Sequence, residues 1–351
     1  MDILKETKAC IPGIDAEASE KAAQRENELT KPPGSLGRLE ELAVKIAGMR
    51  GTVRPGLKDK AVIVFASDHG VALEGVASYP QDVTAQMVLN FCAGGAAINV
   101  LARQAGARIK IVDIGVASPY PSSEQVIMRK ISRGTENIVK GPAMSRESAI
   151  KALETGIEVT LAAADEGLDL LAVGEMGVGN TTASAAVISA VTGRPPDEIT
   201  GTGAGITPEV LEMKKKIVRK AIEVNNPDIT DGISVLAAVG GFEIGGMAGA
   251  IIAAASRRIP VVIDGIISSA AALIASLIAP SSVDYMIAGH RSKVPGQAAA
   301  LEMLGLTPCL DLQMRLGEGT GAVLAFNIIE AACRTLDEMA TFSEAGVSKA
   351  E

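Results

Sequence analysis

The chain has 351 residues, a formal net charge of −8 and a sequence pI near 5.1, a balance that argues against a nucleic-acid surface. Aromatics make up only 2% and Trp is absent, so base-stacking platforms are not expected and a ring-shaped ligand must be held by aliphatic walls. A chain of this length can bury a large core, which points to one large α/β domain with a small appendage.

Residues 1–9 mix charges instead of building an apolar run, so no signal peptide is expected. Residues 15–29 are charged and amphipathic and predict a helix, broken by Thr30-Lys31-Pro32-Pro33-Gly34 because consecutive prolines cannot continue it. Ser35 is the expected cap of a second helix over 36–49, and 50–56 reads as a linker.

From there a pattern recurs. Short apolar β-rich runs at 61–66, 107–112, 168–173, 259–263 and 285–288 each lead to an acid or a glycine cluster, and helical segments follow. Apolar runs alternating with helices predict a parallel sheet buried on both faces. Ligands in such sheets bind beyond the carboxyl ends of the strands, so Asp68, Asp113, Glu175, Asp264 and His290 are expected along one polar edge.

The stretches 235–256 and 259–280 are apolar and about long enough to span a membrane. They carry Glu243 and Asp264, which are costly there. Their small residues suit tight helix packing, so no membrane contact is expected. Cys10, Cys92, Cys309 and Cys333 are scattered and form no CxxC pair. They read as small buried hydrophobes of a reducing compartment. With only His69 and His290, and no HExxH, no metal site is expected.

Gly174-Glu175-Met176-Gly177-Val178-Gly179-Asn180-Thr181-Thr182 follows a strand and precedes a helix over 183–191. It is either a tight turn or an anion site at a helix N-terminus, capped by Asn180 or Thr181. Its glycine order is neither GxGxxG nor a P-loop, so it does not specifically signal a dinucleotide or ATP. Gly201-Thr202-Gly203-Ala204-Gly205 is a second flexible loop, and Thr207-Pro208 caps the next helix. Lys214 to Lys216 follow, and one of these lysines can reach back to a phosphate, although most of such a run is usually a solvated face. His290-Arg291-Ser292-Lys293 can add a hydroxyl or a cation. Together the three clusters suggest a phosphate ester. The segment from Ser78 to Met87 is either an ordinary helix start or a set of polar groups beside apolar ones that orients a flat heterocycle, and Gly240 to Met247 reads foremost as close helix packing or a subunit interface.

Near the C-terminus, Leu316-Gly317-Glu318-Gly319-Thr320-Gly321 boxes one carboxylate in glycines just ahead of an apolar helix over 322–332. Glycine permits positive φ and close approach. Glu318 is therefore the leading candidate for the group doing chemistry, the plainer alternative being an acid that favours a helix N-terminus.

Taken in order along the chain, these segments resemble the nicotinate-nucleotide–dimethylbenzimidazole phosphoribosyltransferases, which make the lower ligand of cobalamin. The resemblance is carried by Thr30 to Gly37, Ser67-Asp68-His69-Gly70, Gly174 to Thr182, Gly240 to Met247, Asp264-Gly265, Gly289 to Lys293 and Leu316 to Gly321. It implies a Rossmann-like parallel sheet flanked by helices over 57–318, a small helical domain built from 1–56 and 319–351, and a cytoplasmic homodimer. It implies that nicotinate mononucleotide and 5,6-dimethylbenzimidazole give α-ribazole 5′-phosphate and nicotinate, with no cofactor or metal. By this likeness Glu318 is the general base, with Ser78, Gln86 and Leu316 near the acceptor base. Glu175, the Gly177-Val178-Gly179-Asn180-Thr181 and Gly203 loops, Lys214, Asp264 and Ser292 lie around the ribose phosphate, where Glu175 can stabilise positive charge. Two other activities stay open: another acceptor such as adenine or a phenol on the same scaffold, and a non-catalytic nucleotide-phosphate binder.

Overall fold

A computed structural model describes residues 3–203, 205 and 207–348. The helices α1 (Ile3–Ala9), α2 (Ala16–Glu28) and α3 (Arg38–Arg50) precede β1 (Lys60–Ser67). Then come α4 (Asp82–Cys92), α5 (Ala97–Ala105), β2 (Ala107–Gly115), β3 (Val126–Met128), α6 (Arg146–Asp165), β4 (Leu170–Met176) and α7 (Asn180–Thr192). The chain continues through α8 (Pro196–Ile199), α9 (Pro208–Asn225), α10 (Gly232–Val239), α11 (Phe242–Ser256), β5 (Val261–Ile263) and α12 (Ile266–Ile278). It closes with β6 (Met286–Ala288), α13 (Gly296–Leu304), α14 (Thr320–Glu338) and α15 (Phe342–Ala345).

The strands form one sheet in the order β3-β2-β1-β4-β5-β6, and every pair is parallel. This is the Rossmann-like sheet flanked by helices that the sequence predicts. It winds outward in both directions from β1 and β4, whose register runs from Lys60 opposite Leu170 to Ala66 opposite Met176. The direction reverses between these two strands, so a crevice opens beyond their carboxyl ends.

Successive strand residues feed opposite cores, as the two-residue period requires. Ala61, Ile63 and Phe65 pack with α6, α11 and α12, whereas Val62, Val64 and Ala66 pack with α3, α5 and α14. The α6–α11 contact depends on glycine: a Cβ at Gly156 would lie 1.9 Å from the Gly246 carbonyl, and one at Gly249 1.9 Å from that of Leu153. The segment from Gly240 to Met247 thus serves helix packing. Helix α1 lies on this same α6–α11 face, while α2 and α3 pack with α14. Arg25 ties α2 to the end of α14 by donating to the carbonyls of Leu336 and Met339 at 2.7 and 3.1 Å.

Local details differ from expectation. Ser35 does not cap α3, which begins after Gly37 without a side-chain cap. The short edge strand β3 lacks the long apolar run that marks the other strands. Asp113 and Glu175 lie inside β2 and β4 instead of just past them. Helix α7 begins at Asn180 behind Gly179, so neither Asn180 nor Thr181 is its cap. Residues 235–256 and 259–280 are buried core segments of α10, α11, β5 and α12. Among the described residues the one helical stretch long and apolar enough to cross a membrane is Asp82–Ala105, and it is interrupted between α4 and α5.

Candidate active site

A cavity of about 440 Å³ opens beyond the carboxyl ends of β1, β4, β5 and β6. Its acidic wall is formed by two glutamates from distant parts of the chain. Glu175 is the penultimate residue of β4, and Glu318 stands in the Gly317-Glu318-Gly319 turn, where all three residues have positive φ (96°, 63° and 87°). Such a conformation is costly for a residue with a Cβ and persists only where its surroundings fix it. Here the Glu318 N–H donates to Glu175 Oε1 at 3.4 Å, and the Ile98 N–H, in the first turn of α5, donates to Glu318 Oε2 at 3.2 Å. The turn can sit on β4 because Gly174 has no side chain: a Cβ there would lie 2.4 Å from the Glu318 carbonyl.

Both carboxyls are nearly buried, at 6% and 7% exposure. Burial, with the charges of Glu243, Asp264 and Glu318 adding to it, pushes Glu175 up to about 8. Asn180 donates to its Oε2. Burial also raises Glu318 above the ordinary glutamate range, against the opposing Ile98 N–H. Desolvation therefore outweighs the helix N-terminus at Glu318 and makes it a better base than a solvated glutamate.

The opposite end of the cavity suits an anion. Lys214 of α9 is 2% exposed, and its Nζ donates to Thr181 Oγ1 at 2.7 Å. Burial lowers its pKa to about 8. Gly203 adjoins it: a Cβ there would lie 3.8 Å from Lys214 Nζ. Ala204, in the same loop, lies outside the described residues. The first turn of α7 and the Gly177 to Thr181 loop complete this end, so an ammonium and a helix N-terminus face the same space. Thr84 Oγ1 braces the loop, accepting from the Val178 N–H at 3.1 Å and donating to Asp68 Oδ1 at 2.7 Å.

Ser78, Leu316, Glu175, Gly177, Gly179, Asn180, Thr181, Gly203, Lys214, Ser292 and Glu318 all border the cavity. Gln86 is exposed on α4 and Asp264 is buried, and neither is among the bordering residues. Asp264 Oδ1 instead accepts from the Ala322 N–H at 2.9 Å in the first turn of α14. Asp68 and Asp113 hold loops: Asp68 Oδ2 accepts from the Ala117 N–H at 2.8 Å, and Asp113 Oδ1 from the Val116 N–H at 2.9 Å. The aliphatic walls include Val83, Met87, Val178, Ile267 and Val294. Val83 and Met87, one turn apart on α4, belong to the segment read as a candidate heterocycle site. Sequence reasoning did not single out Ile267, Val294, the rim residue Arg315 or the Glu243–His69 pair. The pair is joined at 2.8 Å beneath the Gly177 loop across 174 positions, a distance no local pattern reveals. Among the described residues no group of three or more His, Cys, Asp or Glu is arranged to hold a metal ion.

A sequence model of a family described as phosphoribosyltransferase matches residues 11–347. The chain belongs to the phosphoribosyltransferase family. A protein of Chloroflexus aggregans named nicotinate-nucleotide–dimethylbenzimidazole phosphoribosyltransferase is 56% identical over 349 residues, which is 99% of each chain. A Roseiflexus protein of the same name is also 56% identical over 348 residues, again 99% of each chain. A crystal structure from Thermus thermophilus, described as the same phosphoribosyltransferase, superimposes with a TM-score of 0.92 at 45% identity, covering 96% of this chain and 100% of its own. The likeness spans nearly the whole chain, so this is a phosphoribosyltransferase; its acidic and cationic groups line the cavity at the sheet's switch point.

Proposed function

We propose that this phosphoribosyltransferase moves the phosphoribosyl group of nicotinate mononucleotide to 5,6-dimethylbenzimidazole, giving α-ribazole 5′-phosphate and nicotinate. The observation that carries this reading is a buried glutamate of raised pKa and a buried lysine hydrogen-bonded to Thr181, both bordering one aliphatic-walled cavity. The names of the full-length relatives support it. In this reading Lys214, Thr181 and the α7 N-terminus hold the phosphate, with Gly177, Gly179, Asn180, Gly203 and Ser292 around the ribose phosphate. Asp264 supports the ribose end from behind. Ser78 and Leu316 lie beside the acceptor base; Gln86, exposed here, would reach it only after a side-chain or helix movement.

Nicotinate departs from a cationic pyridinium nucleotide, so it leaves with the bonding electrons as a neutral ring and needs little acid assistance. One acceptor nitrogen attacks C1′ from the opposite face, which inverts β to α. Its other nitrogen releases its proton to Glu318. The ionised form of Glu175 faces the positive charge that develops on the ribose. The rest of the rate comes from holding two flat rings and a sugar in line. The same reading includes a small helical unit from 1–56 and 319–351 and a cytoplasmic homodimer.

Incubating the purified protein with nicotinate mononucleotide and dimethylbenzimidazole, with products identified by mass, tests the activity. Nicotinate and a ribazole phosphate are expected in equal amounts; nucleotide binding without nicotinate release for any base in an acceptor panel would refute it. Aliphatic walls discriminate modestly between flat rings, so related benzimidazoles are expected to react as well. Lys214→Met is expected to weaken nucleotide binding on the order of 10²-fold and to leave binding of the phosphate-free riboside unchanged. Calorimetry with both ligands reads this, and equal losses for both would remove the lysine from the phosphate.

A further inference from the structure

We propose that His290 accepts a hydrogen bond from a ribose hydroxyl of the bound nucleotide and so selects ribonucleotides over deoxynucleotides. This rests on the nucleotide reading above. His290 follows β6, borders the cavity and is 2% exposed. Its ring is fixed from several sides. A Cβ at Gly321 would lie 2.1 Å from His290 Cδ2, so the ring is pressed against the backbone of the first turn of α14. Its Nε2 stands 3.4 Å from Asp264 Oδ1, and the same turn fixes that carboxylate through the Ala322 N–H. Behind them Gln297, 1% exposed, donates to the carbonyls of Asp264 and His290 at 2.7 and 3.0 Å. Its Oε1 accepts from the Ser292 N–H. One side chain thus staples the ends of β5 and β6.

A carboxylate beside Nε2 favours the proton on that nitrogen and leaves Nδ1 as a lone-pair acceptor. Nδ1 is buried and has no hydrogen-bond partner among the described residues. Buried polar atoms are rarely left unpaired, and an orphan acceptor on a cavity-lining residue calls for a ligand donor. The chemistry of the substrates limits the choice. The phosphate and the nicotinate carboxylate are acceptors, and the pyridinium ring carries no N–H. The single N–H of the benzimidazole is committed to Glu318. The two ribose hydroxyls are the donors that remain.

The test compares nicotinate mononucleotide with its 2′-deoxy and 3′-deoxy analogues, by kcat/KM and by calorimetric binding, in the wild type, H290A and H290N. The wild type is expected to prefer the ribonucleotide over one deoxy analogue by about tenfold or more. H290A is expected to lose that preference while handling that analogue nearly as the wild type does. Asn carries an acceptor close to the place of Nδ1, so H290N is expected to recover part of the preference, and it serves alone if H290A does not fold. A variant as selective as the wild type, or a wild type indifferent to both hydroxyls, overturns the assignment. Binding is read separately from nicotinate release, so a protein that selects ribonucleotides yet transfers nothing refutes the activity and leaves His290 in its role.

Discussion

With Glu318 as the proposed general base, Glu318→Gln is expected to lower kcat by about 10²–10⁴-fold, the usual worth of a positioned base, while nicotinate mononucleotide is expected still to bind. The amide is isosteric and its oxygen can still accept from the Ile98 N–H, so the left-handed turn at Glu318 stays supported. What disappears is the lone pair basic enough to take the acceptor's proton. The pH dependence carries a second signature. The base works only when ionised, and burial raises its pKa, so wild-type kcat climbs with pH along a limb above the ordinary glutamate range. In the variant the residual rate loses the part of that limb due to Glu318. Steady-state kinetics over a pH series measures both effects, and near-normal turnover would remove Glu318 from the chemistry.

Glu175→Gln separates stability from turnover. The Glu175 carboxyl is pushed up from an ordinary 4.5 to about 8. The unfolded chain therefore releases this proton at lower pH than the folded protein does. Between about 4.5 and about 8 the folded state binds more protons, so this group's contribution to stability falls as pH rises through that window. The neutral amide removes that slope. The variant is expected to melt at a higher temperature than the wild type at about pH 8.5 and to lose the advantage near pH 4, where both side chains are neutral. Its turnover falls, by about 10²–10³-fold if the carboxylate faces the developing charge. Thermal melts at the two pH values and a single-turnover assay check the pair of outcomes. A variant less stable at high pH would mean that Glu175 is held ionised in the folded protein. Bound pyridinium nucleotide should draw the proton off Glu175, so nucleotide affinity rises with pH toward about 8.

Much of this was legible in local sequence because it is governed by local chemistry. Consecutive prolines stop a helix wherever they stand, so the break after α2 was readable. The cap at Thr207 was readable too: its hydroxyl accepts from the Val210 N–H at the head of α9. Apolar runs leading to an acid or, at 285–288, to Gly289-His290 gave five of the strands, whereas the edge strand Val126–Met128 has too short and exposed a pattern to announce itself. Ser35 shows the limit of capping rules. The chain keeps turning through Gly37, and Glu40 accepts from the Gly34 and Leu36 N–H groups instead.

The sequence by itself determined the kind of sheet, the polar edge where its strands end, and the carboxylate set among glycines, because each follows from spacing within a few residues. Only the tertiary structure decided which acids face the cavity. Glu318 meets Glu175 across 143 positions and Ile98 across 220, while Asp68 and Asp113 turn to hold loops. Proton affinity depends on burial and on neighbouring charge, and both are set by which strands the sheet brings side by side.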